Sequence, residues 1–210
     1  MSVLLALTAA LILIVWGMIR ARKPQKSAAP VLVQRYVHPG HAWLRLMEDG
    51  DVLVGIDDFA QSVIGTIEEV RLPRLLHSVR QGKTGMFVRH GNRVVPFVSP
   101  VTGRVMQKNE MAMHNPTLLN TSPYGDGWLI RVRPRKLSPQ LLNLFTGRPA
   151  MQWQDLARAQ LARMFSGTPA LMYQDGGVLL HGLADRCSDA EWRAIEREVF
   201  LSSHVPSTLE

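Results

Sequence analysis

Residues 84–107 read TGMFVRHGNRVVPFVSPVTGRVMQ, and their pattern gives the clearest indication of the fold class. Two apolar runs, 85–89 and 94–98, flank the tight connection His90-Gly91-Asn92-Arg93, a pattern that predicts a β-hairpin. A third run, 101–107, predicts another strand that ends before Asn109. Short strands joined by tight turns indicate a β-rich fold.

Further strand signals lie on both sides of this hairpin. Alternating apolar residues and turn residues predict strands at 31–37, 42–46, 52–56, 67–72 and 128–132, with one or two helical turns at 57–64. Residues 31–136 are therefore expected to form one domain of an α+β, mostly β class.

The pattern changes to a helical one in the C-terminal extension, residues 137–210. Helices are predicted at 138–145 and 152–165, a hairpin within 167–183, and a helix from the capping box Ser188–Glu191 to about residue 201. Trp153 and Trp192 lie on the apolar faces of two of these helices. We expect them to be core residues of the extension, with aromatic anchors of a partner surface as the alternative.

The N-terminal segment, residues 1–20, has the features of a membrane anchor. Residues 3–19 contain no charge, and Trp16 occupies the place of an interfacial aromatic. Four bases follow this run. Arg20 lies at its end, and Arg22, Lys23 and Lys26 lie in a short linker, residues 21–30. A cleaved signal peptide is the alternative, but it normally has bases before the apolar run and a small-residue cleavage site after it. The positive-inside rule predicts an N-terminus outside the inner (cytoplasmic) membrane and residues 20–210 in the cytoplasm.

The net charge of +7 does not indicate nucleic-acid binding. The chain has 24 Lys and Arg against 17 Asp and Glu, and all acids lie beyond residue 30. Removing the four juxtamembrane bases leaves an excess of +3, and anionic lipid headgroups are the simplest partner for those four. The single cysteine, Cys187, excludes an internal disulfide.

Five segments in order resemble the H-protein of the glycine cleavage system. They are His41–Leu44, Val54–Gln61, Ile64–Pro73, Ser99–Val105 and Asn115–Leu129, which include HAWL, VGIDDFAQ, SPVTGRV and PYGDGWL. The resemblance covers about residues 41–134. It implies a lipoyl-type barrel-sandwich of short strands with flanking helices.

The resemblance also implies where a lipoyl group would be attached. The family carries lipoate on one lysine at a hairpin tip, seven residues before the serine that corresponds to Ser99, and that position is Asn92 here. Lipoate is joined to a lysine amine, and a carboxamide is not nucleophilic. No lysine lies between Lys83 and Lys108, so a small alignment shift does not supply one. We therefore expect no lipoyl group and no other cofactor.

The remaining candidate sites are weak. The hairpin residues Arg89, His90 and Arg93 form either a solvated tip or a contact with an acidic partner or lipid headgroups. The seven histidines lack ligand spacing for a metal, and Cys187 has no neighbouring histidine that would indicate catalysis.

These patterns favour a non-catalytic function. The first hypothesis is a bacterial-type accessory subunit anchored by one span, whose degenerate H-protein-like domain braces integral membrane subunits of a larger complex, such as a respiratory or photosynthetic one. The second is a carrier or transfer protein in lipoate or one-carbon metabolism. The third is an unrecognised enzyme that uses the C-terminal extension, which would need a polar pocket with converging titratable groups.

Overall fold

A computed structural model describes residues 34–165, 173–174, 178–179 and 181–201. The predicted anchor and linker, with Trp16, Arg20, Arg22, Lys23 and Lys26, lie outside these residues. Within the described residues, no helix combines the length and apolar character that a membrane crossing requires.

The described part of the chain is mostly β with flanking helices, as the sequence predicts. Its strands are β1 Arg35–Val37, β2 Ala42–Leu46, β3 Val52–Ile56, β4 Glu69–Arg71, β5 Ser78–Val79, β6 Thr84–His90, β7 Arg93–Val98, β8 Gly103–Lys108, β9 Ile130–Pro134, β10 Tyr173–Gln174 and β11 Val178–Leu179. Its α-helices are α1 Asp58–Ile64, α2 Glu110–His114, α3 Leu118–Thr121, α4 Leu137–Leu141, α5 Gly147–Met164 and α6 Asp189–Ile195. A 3₁₀ turn, Leu183–Asp185, precedes α6, and a π-helical turn, Glu196–Phe200, continues it.

The strands form two principal sheets. One has the order β1-β2-β3-β9-β8-β5 and the other β4-β6-β7, while β10 and β11 pair with each other. Neighbouring strands are antiparallel throughout. Alternating residues of β2 and β3 face two hydrophobic clusters: Leu44, Val52 and Val54 lie in the larger one, and Trp43 and Leu53 lie in a smaller one with Val37 and Trp153.

The hydrophobic core joins the strands to the C-terminal extension. Val88 and Phe97 from the three-stranded sheet share one buried cluster with Leu161, Trp192 and Phe200. Asp57 is a buried polar residue, and its carboxylate accepts a hydrogen bond from the Ala60 amide and caps α1. The extension is thus packed into the same interior as the strands.

Hydrogen bonds to residues elsewhere in the chain accompany two element ends that differ from the predicted ones. Strand β9 begins at Ile130 instead of 128. The side-chain Nδ2 of Asn109 donates to the backbone carbonyls of Asp126 and Trp128, at 2.7 Å each, and holds these residues outside the strand. Helix α4 ends at Leu141 instead of 145, because Phe145 pairs with Val37 through two 2.8 Å backbone hydrogen bonds. Both interactions join residues far apart in sequence, which local patterns do not report.

Other ends differ by smaller amounts. Strand β8 begins at Gly103 instead of 101, after a turn in which the Ser99 hydroxyl donates to the Val101 carbonyl at 2.7 Å. Helix α5 begins at Gly147, earlier than the predicted residue 152. The hairpin within 167–183 is present as β10 and β11, and the capping box at Ser188 and Glu191 opens α6.

Candidate functional site at the hairpin of β6 and β7

Strands β6 and β7 form the predicted hairpin, with Gly91 and Asn92 as its two-residue turn. His90 pairs with Arg93 across the turn, and Gly91 has a φ of 55°. This positive φ is found at the first central position of type II′ hairpin turns, where glycine is preferred. Gly91 and Asn92 are both exposed. The turn therefore presents the Asn92 carboxamide to solvent, at the position where the family resemblance would place a modified lysine.

Arg89, next to the turn, is paired with acids of its own chain. Its Nε donates to Glu69 Oε2 at 2.8 Å, and its Nη1 donates to Glu68 Oε2 at 2.7 Å. Hydrogen bonds from Arg71 and then from Arg89 lower the pKa of Glu69 to about 2. The hairpin base is therefore a local network of balanced charges.

His90 links the hairpin to the C-terminal extension. The sequence left a solvated tip or a partner contact as the two readings for this residue, but its imidazole is buried between two hydrogen-bond acceptors of its own chain. Nδ1 lies 2.6 Å from the Thr66 carbonyl and Nε2 lies 2.6 Å from Asp185 Oδ1. Both partners only accept, so both ring nitrogens must donate, and this arrangement requires the imidazolium form. Burial by itself lowers the pKa of His90, but the hydrogen bonds to Thr66 and Asp185 outweigh it and raise the pKa.

Arg93 holds the extension on the other side of the turn. Its Nη2 donates to the Cys187 carbonyl at 2.6 Å, and the Asp189 carboxylate lies 3.7 Å away. The guanidinium also lies over the Trp192 ring, 4.8 Å from the ring centroid, which is a cation–π distance. Arg93 is thus engaged by its own chain in this structure.

Residues 182–201, which we call the C-terminal clasp, also contact the chain beneath the hairpin. Gly182 donates its amide to the Ser62 carbonyl at 2.9 Å, next to Gly65. A Cβ atom on Gly65 would lie 2.8 Å from the Gly182 Cα, so this contact requires glycine on the Gly65 side. The clasp therefore meets helix α1 backbone to backbone.

The far end of the clasp is inserted into the core. Phe200 is fully buried, with its ring centroid 5.4 Å from that of Phe97 and 6.1 Å from that of Trp192. Trp192 is itself 4% exposed. The structure thus places Trp192 in the interior of this chain instead of on an open surface.

The second tryptophan proposed as a partner contact, Trp153, is also interior. It is 3% exposed, and its ring lies 5.6 Å from Phe145 and 5.9 Å from His41, stacked on both. For Trp153 to contact another protein, its ring would first have to leave Phe145 and His41.

Sequence reasoning found the hairpin but missed the clasp that binds it. Asp185, Cys187 and Asp189 carry no motif, and their distance along the chain from the hairpin gave no signal. The capping box located α6 without indicating where it docks. Burial, followed by the charge of Glu191, raises the pKa of Cys187 to about 11, so its thiol is poorly suited to nucleophilic chemistry. No cluster of metal-ligating side chains occurs within the described residues.

The His90 contacts predict a stability difference that depends on pH. Because the native pKa lies above the ordinary value of 6.5, protonated His90 stabilises the native state fully below that value, and this contribution is lost as pH rises through the native pKa. We expect the difference in unfolding free energy between the unmodified chain and His90→Gln to shrink as pH is raised from 6.5. Urea titrations at a series of pH values measure it, with the exposed His77→Gln as the control for loss of an imidazole. A difference that grows with pH would contradict the predicted protonated state.

Comparisons with known proteins show which family the sequence resembles. The family model described as Glycine cleavage H-protein matches residues 34–154. The chain is 34% identical to Glycine cleavage system H protein 2 of Aquifex aeolicus over 110 residues, which cover 52% of this chain and 68% of that protein. It is 36% identical to the probable glycine cleavage system H protein of Pyrococcus abyssi, over 52% of this chain and 81% of the relative.

Two further similarities were found, one to a sequence and one to a solved structure. The glycine cleavage system H protein of a Psychrobacter species is 39% identical over 45% of this chain and 75% of its own. A crystal structure of a glycine cleavage system H protein from Mycobacterium marinum has 30% identity, covers 49% of this chain and 84% of that one, and gives a TM-score of 0.46. The family match spans more than half of the sequence and includes the hairpin described above. This chain belongs to the glycine cleavage H-protein family.

Proposed function

We propose that this chain is a non-lipoylated member of its family that acts by contact, as a non-catalytic accessory subunit of a larger complex in the cytoplasmic membrane. Residues 1–20 would anchor it with the N-terminus outside, and the H-protein-like domain would brace the cytoplasmic face of neighbouring integral membrane subunits. A respiratory or photosynthetic complex is the host we favour by analogy. The uncharged run 3–19 and the bases that follow it support the anchor.

One observation carries this proposal, the chemistry of the exposed turn. A carrier needs a primary amine that can be acylated and a flexible stem that moves the acyl group between sites. The turn presents the carboxamide of Asn92, and its neighbour Arg93 carries a guanidinium group instead of a primary amine. Residues 84–107 contain no lysine. Contact with a partner is therefore the function for which this hairpin is best suited.

The immobility of the hairpin supports the same proposal. His90 is hydrogen-bonded to Asp185, and Arg93 to the Cys187 carbonyl, so both ends of the turn are fixed to the C-terminal clasp. A fixed hairpin suits a binding surface because little conformational entropy is lost when a partner docks.

The second candidate is the carrier or transfer protein, and family membership by itself favours it. The relatives named above are H proteins of the glycine cleavage system. For this chain the carrier would need another attachment lysine. Lys83 precedes β6 at the end of the hairpin opposite the turn, and the Lys108 amine lies 3.8 Å from the Glu110 carboxylate.

The mass of the intact chain distinguishes the two candidates. We expect the full chain, purified from cells that lipoylate an authentic H protein, to have its unmodified mass. The authentic H protein, isolated from the same cells, is the control that shows active lipoate attachment. A lipoyl adduct on this chain would overturn the proposal and support the carrier.

Co-purification tests the other half of the proposal. After gentle solubilisation of membranes, we expect the full chain to be recovered with integral membrane subunits in a fixed ratio. Recovery of the chain alone, or from the soluble fraction, would contradict a role in a membrane complex.

A further inference from the structure

A long stretch around the hairpin has bases but no acids. Residues 70–109 contain eight Lys and Arg and no Asp or Glu. Four of these bases have acidic partners supplied from outside the stretch: Arg71 with Glu69, Arg89 with Glu68 and Glu69, Arg93 with Asp189, and Lys108 with Glu110. Within the described part of the chain, the other four form no ion pair: Arg74, Arg80, Lys83 and Arg104. These four bases are therefore not neutralised by any acid of the described residues.

Three of these unpaired bases line one groove. The groove has a volume of about 520 Å³, and its charged side chains are Arg74, Arg80 and Lys83, with no acidic side chain in its lining. The fourth base, Arg104, is opposite Ser78 of the groove in the pairing of β5 with β8. All four bases are exposed. Like charges gathered in this way produce a positive potential that attracts anions.

Two exposed leucines stand beside the same groove. Leu75 is 53% exposed and Leu76 is 62% exposed, between the groove residues Arg74 and His77. Backbone hydrogen bonds hold them there, because the Leu76 amide donates to the Val105 carbonyl at 2.7 Å and the Val105 amide donates to the His77 carbonyl at 2.9 Å. Leu76 also has a φ of 62°, which a non-glycine residue adopts only when its surroundings impose it. The two leucines are thus fixed outside the core.

We propose that this surface, formed by Arg74, Leu75, Leu76, Arg80, Lys83 and Arg104, is a docking site for an anionic lipid bilayer. Basic side chains reach phosphate headgroups while adjacent apolar side chains enter the boundary between headgroups and acyl chains. An apolar pair beside a basic groove fits that layered partner. It fits a single-stranded nucleic acid poorly, because residues 70–85 contain no Phe, Tyr or Trp on which bases could stack. The inference rests on the proposed function in one respect, namely that the chain works at a membrane.

An environment-sensitive dye at residue 75 tests the contact in the full chain. The variant Leu75→Cys provides one reactive thiol, because Cys187 is buried with its pKa raised to about 11. The labelled chain is mixed with vesicles of phosphatidylcholine alone or of phosphatidylcholine with phosphatidylglycerol. We expect the dye emission to shift to the blue, and lipid-borne quenchers to reach the dye, only with phosphatidylglycerol.

Two variants make the test specific. Met111→Cys carries the same dye beside Glu110, at a site that is 63% exposed against 53% for residue 75, and should show no shift. Arg74→Gln/Arg80→Gln/Lys83→Gln, combined with Leu75→Cys, should lose the shift, since about 1 kcal/mol per surface base corresponds to roughly a hundredfold weaker contact for three. A shift that survives in this variant, or that occurs equally at residue 111, would overturn the proposal.

Flotation of the same samples separates this inference from the proposed function. If the chain floats with both vesicles while the dye stays aqueous, the docking surface is overturned and the anchor stands. If it floats only with phosphatidylglycerol, and the triple variant does not float, the surface is supported and the anchor is overturned. Failure to float with either vesicle would overturn both.

Discussion

Replacing Phe200 with alanine is expected to lower the free energy of unfolding by about 3–5 kcal/mol, the range for truncation of a fully buried phenylalanine. Phe200 has no exposed surface, and its ring lies against Phe97 of β7 and Trp192 of α6. The alanine would leave a cavity between the hairpin and the clasp that the rigid strands cannot close. Residues near a chain end usually contribute little to the free energy of unfolding, so a loss of this size would show that the clasp is part of the core.

Urea unfolding of the full chain, followed by circular dichroism, measures this effect. Leu201→Ala is the matched control, because Leu201 is the next residue and is 39% exposed, so we expect a loss below about 1 kcal/mol. Equal, small losses for the two variants would mean that the clasp is not packed as described.

Replacing Asp57 with alanine is the second large effect, expected to cost about 2–4 kcal/mol. One carboxylate oxygen accepts from the Ala60 amide at 2.9 Å and the other is 2.8 Å from His41 Nδ1. The variant loses the cap of helix α1 and leaves a buried histidine donor without an acceptor. His41 also has a φ of 59°, and the hydrogen bond from the Asp57 amide to its carbonyl, at 3.0 Å, helps to hold that conformation.

Two substitutions separate the contributions of Asp57. Asp57→Asn keeps an oxygen for the helix cap but turns an amide donor towards His41 Nδ1, so it should recover only the capping part of the loss. Asp58→Ala changes the neighbouring, exposed carboxylate and should cost less than Asp57→Ala. The same urea titrations give all three values. A loss of less than about 1 kcal/mol for Asp57→Ala would show that the buried pair contributes little.

The strands and the hairpin could be predicted because their signals are local. Alternation in 84–98 and the Gly91-Asn92 turn are contained within one short segment, and the two strands pair as expected. Element ends were predicted less well. Asn109 and Phe145 set the ends of β9 and α4 through partners distant in sequence, so no local pattern shows them.

The binding of the hairpin by the clasp could not be predicted for the same reason. His90 and Asp185 are separated by 95 positions, and an acid before a helix is more often solvated than paired with a distant histidine. The basic residues of the turn indicated a charged surface, but only the fold shows that Arg93 lies over Trp192. The absence of a lysine from residues 84–107, in contrast, can be seen directly in the sequence.

Phe200 lies in the hydrophobic core but beyond the end of the family match. The region that identifies the family stops at residue 154, yet the interior of that region is completed by a side chain 46 positions later. The segment that matches the family model is therefore shorter than the segment that forms the hydrophobic core. A fragment that ended at residue 154 would lack Phe200 and would expose the face of Phe97 that Phe200 covers. Such an exposed hydrophobic surface favours aggregation.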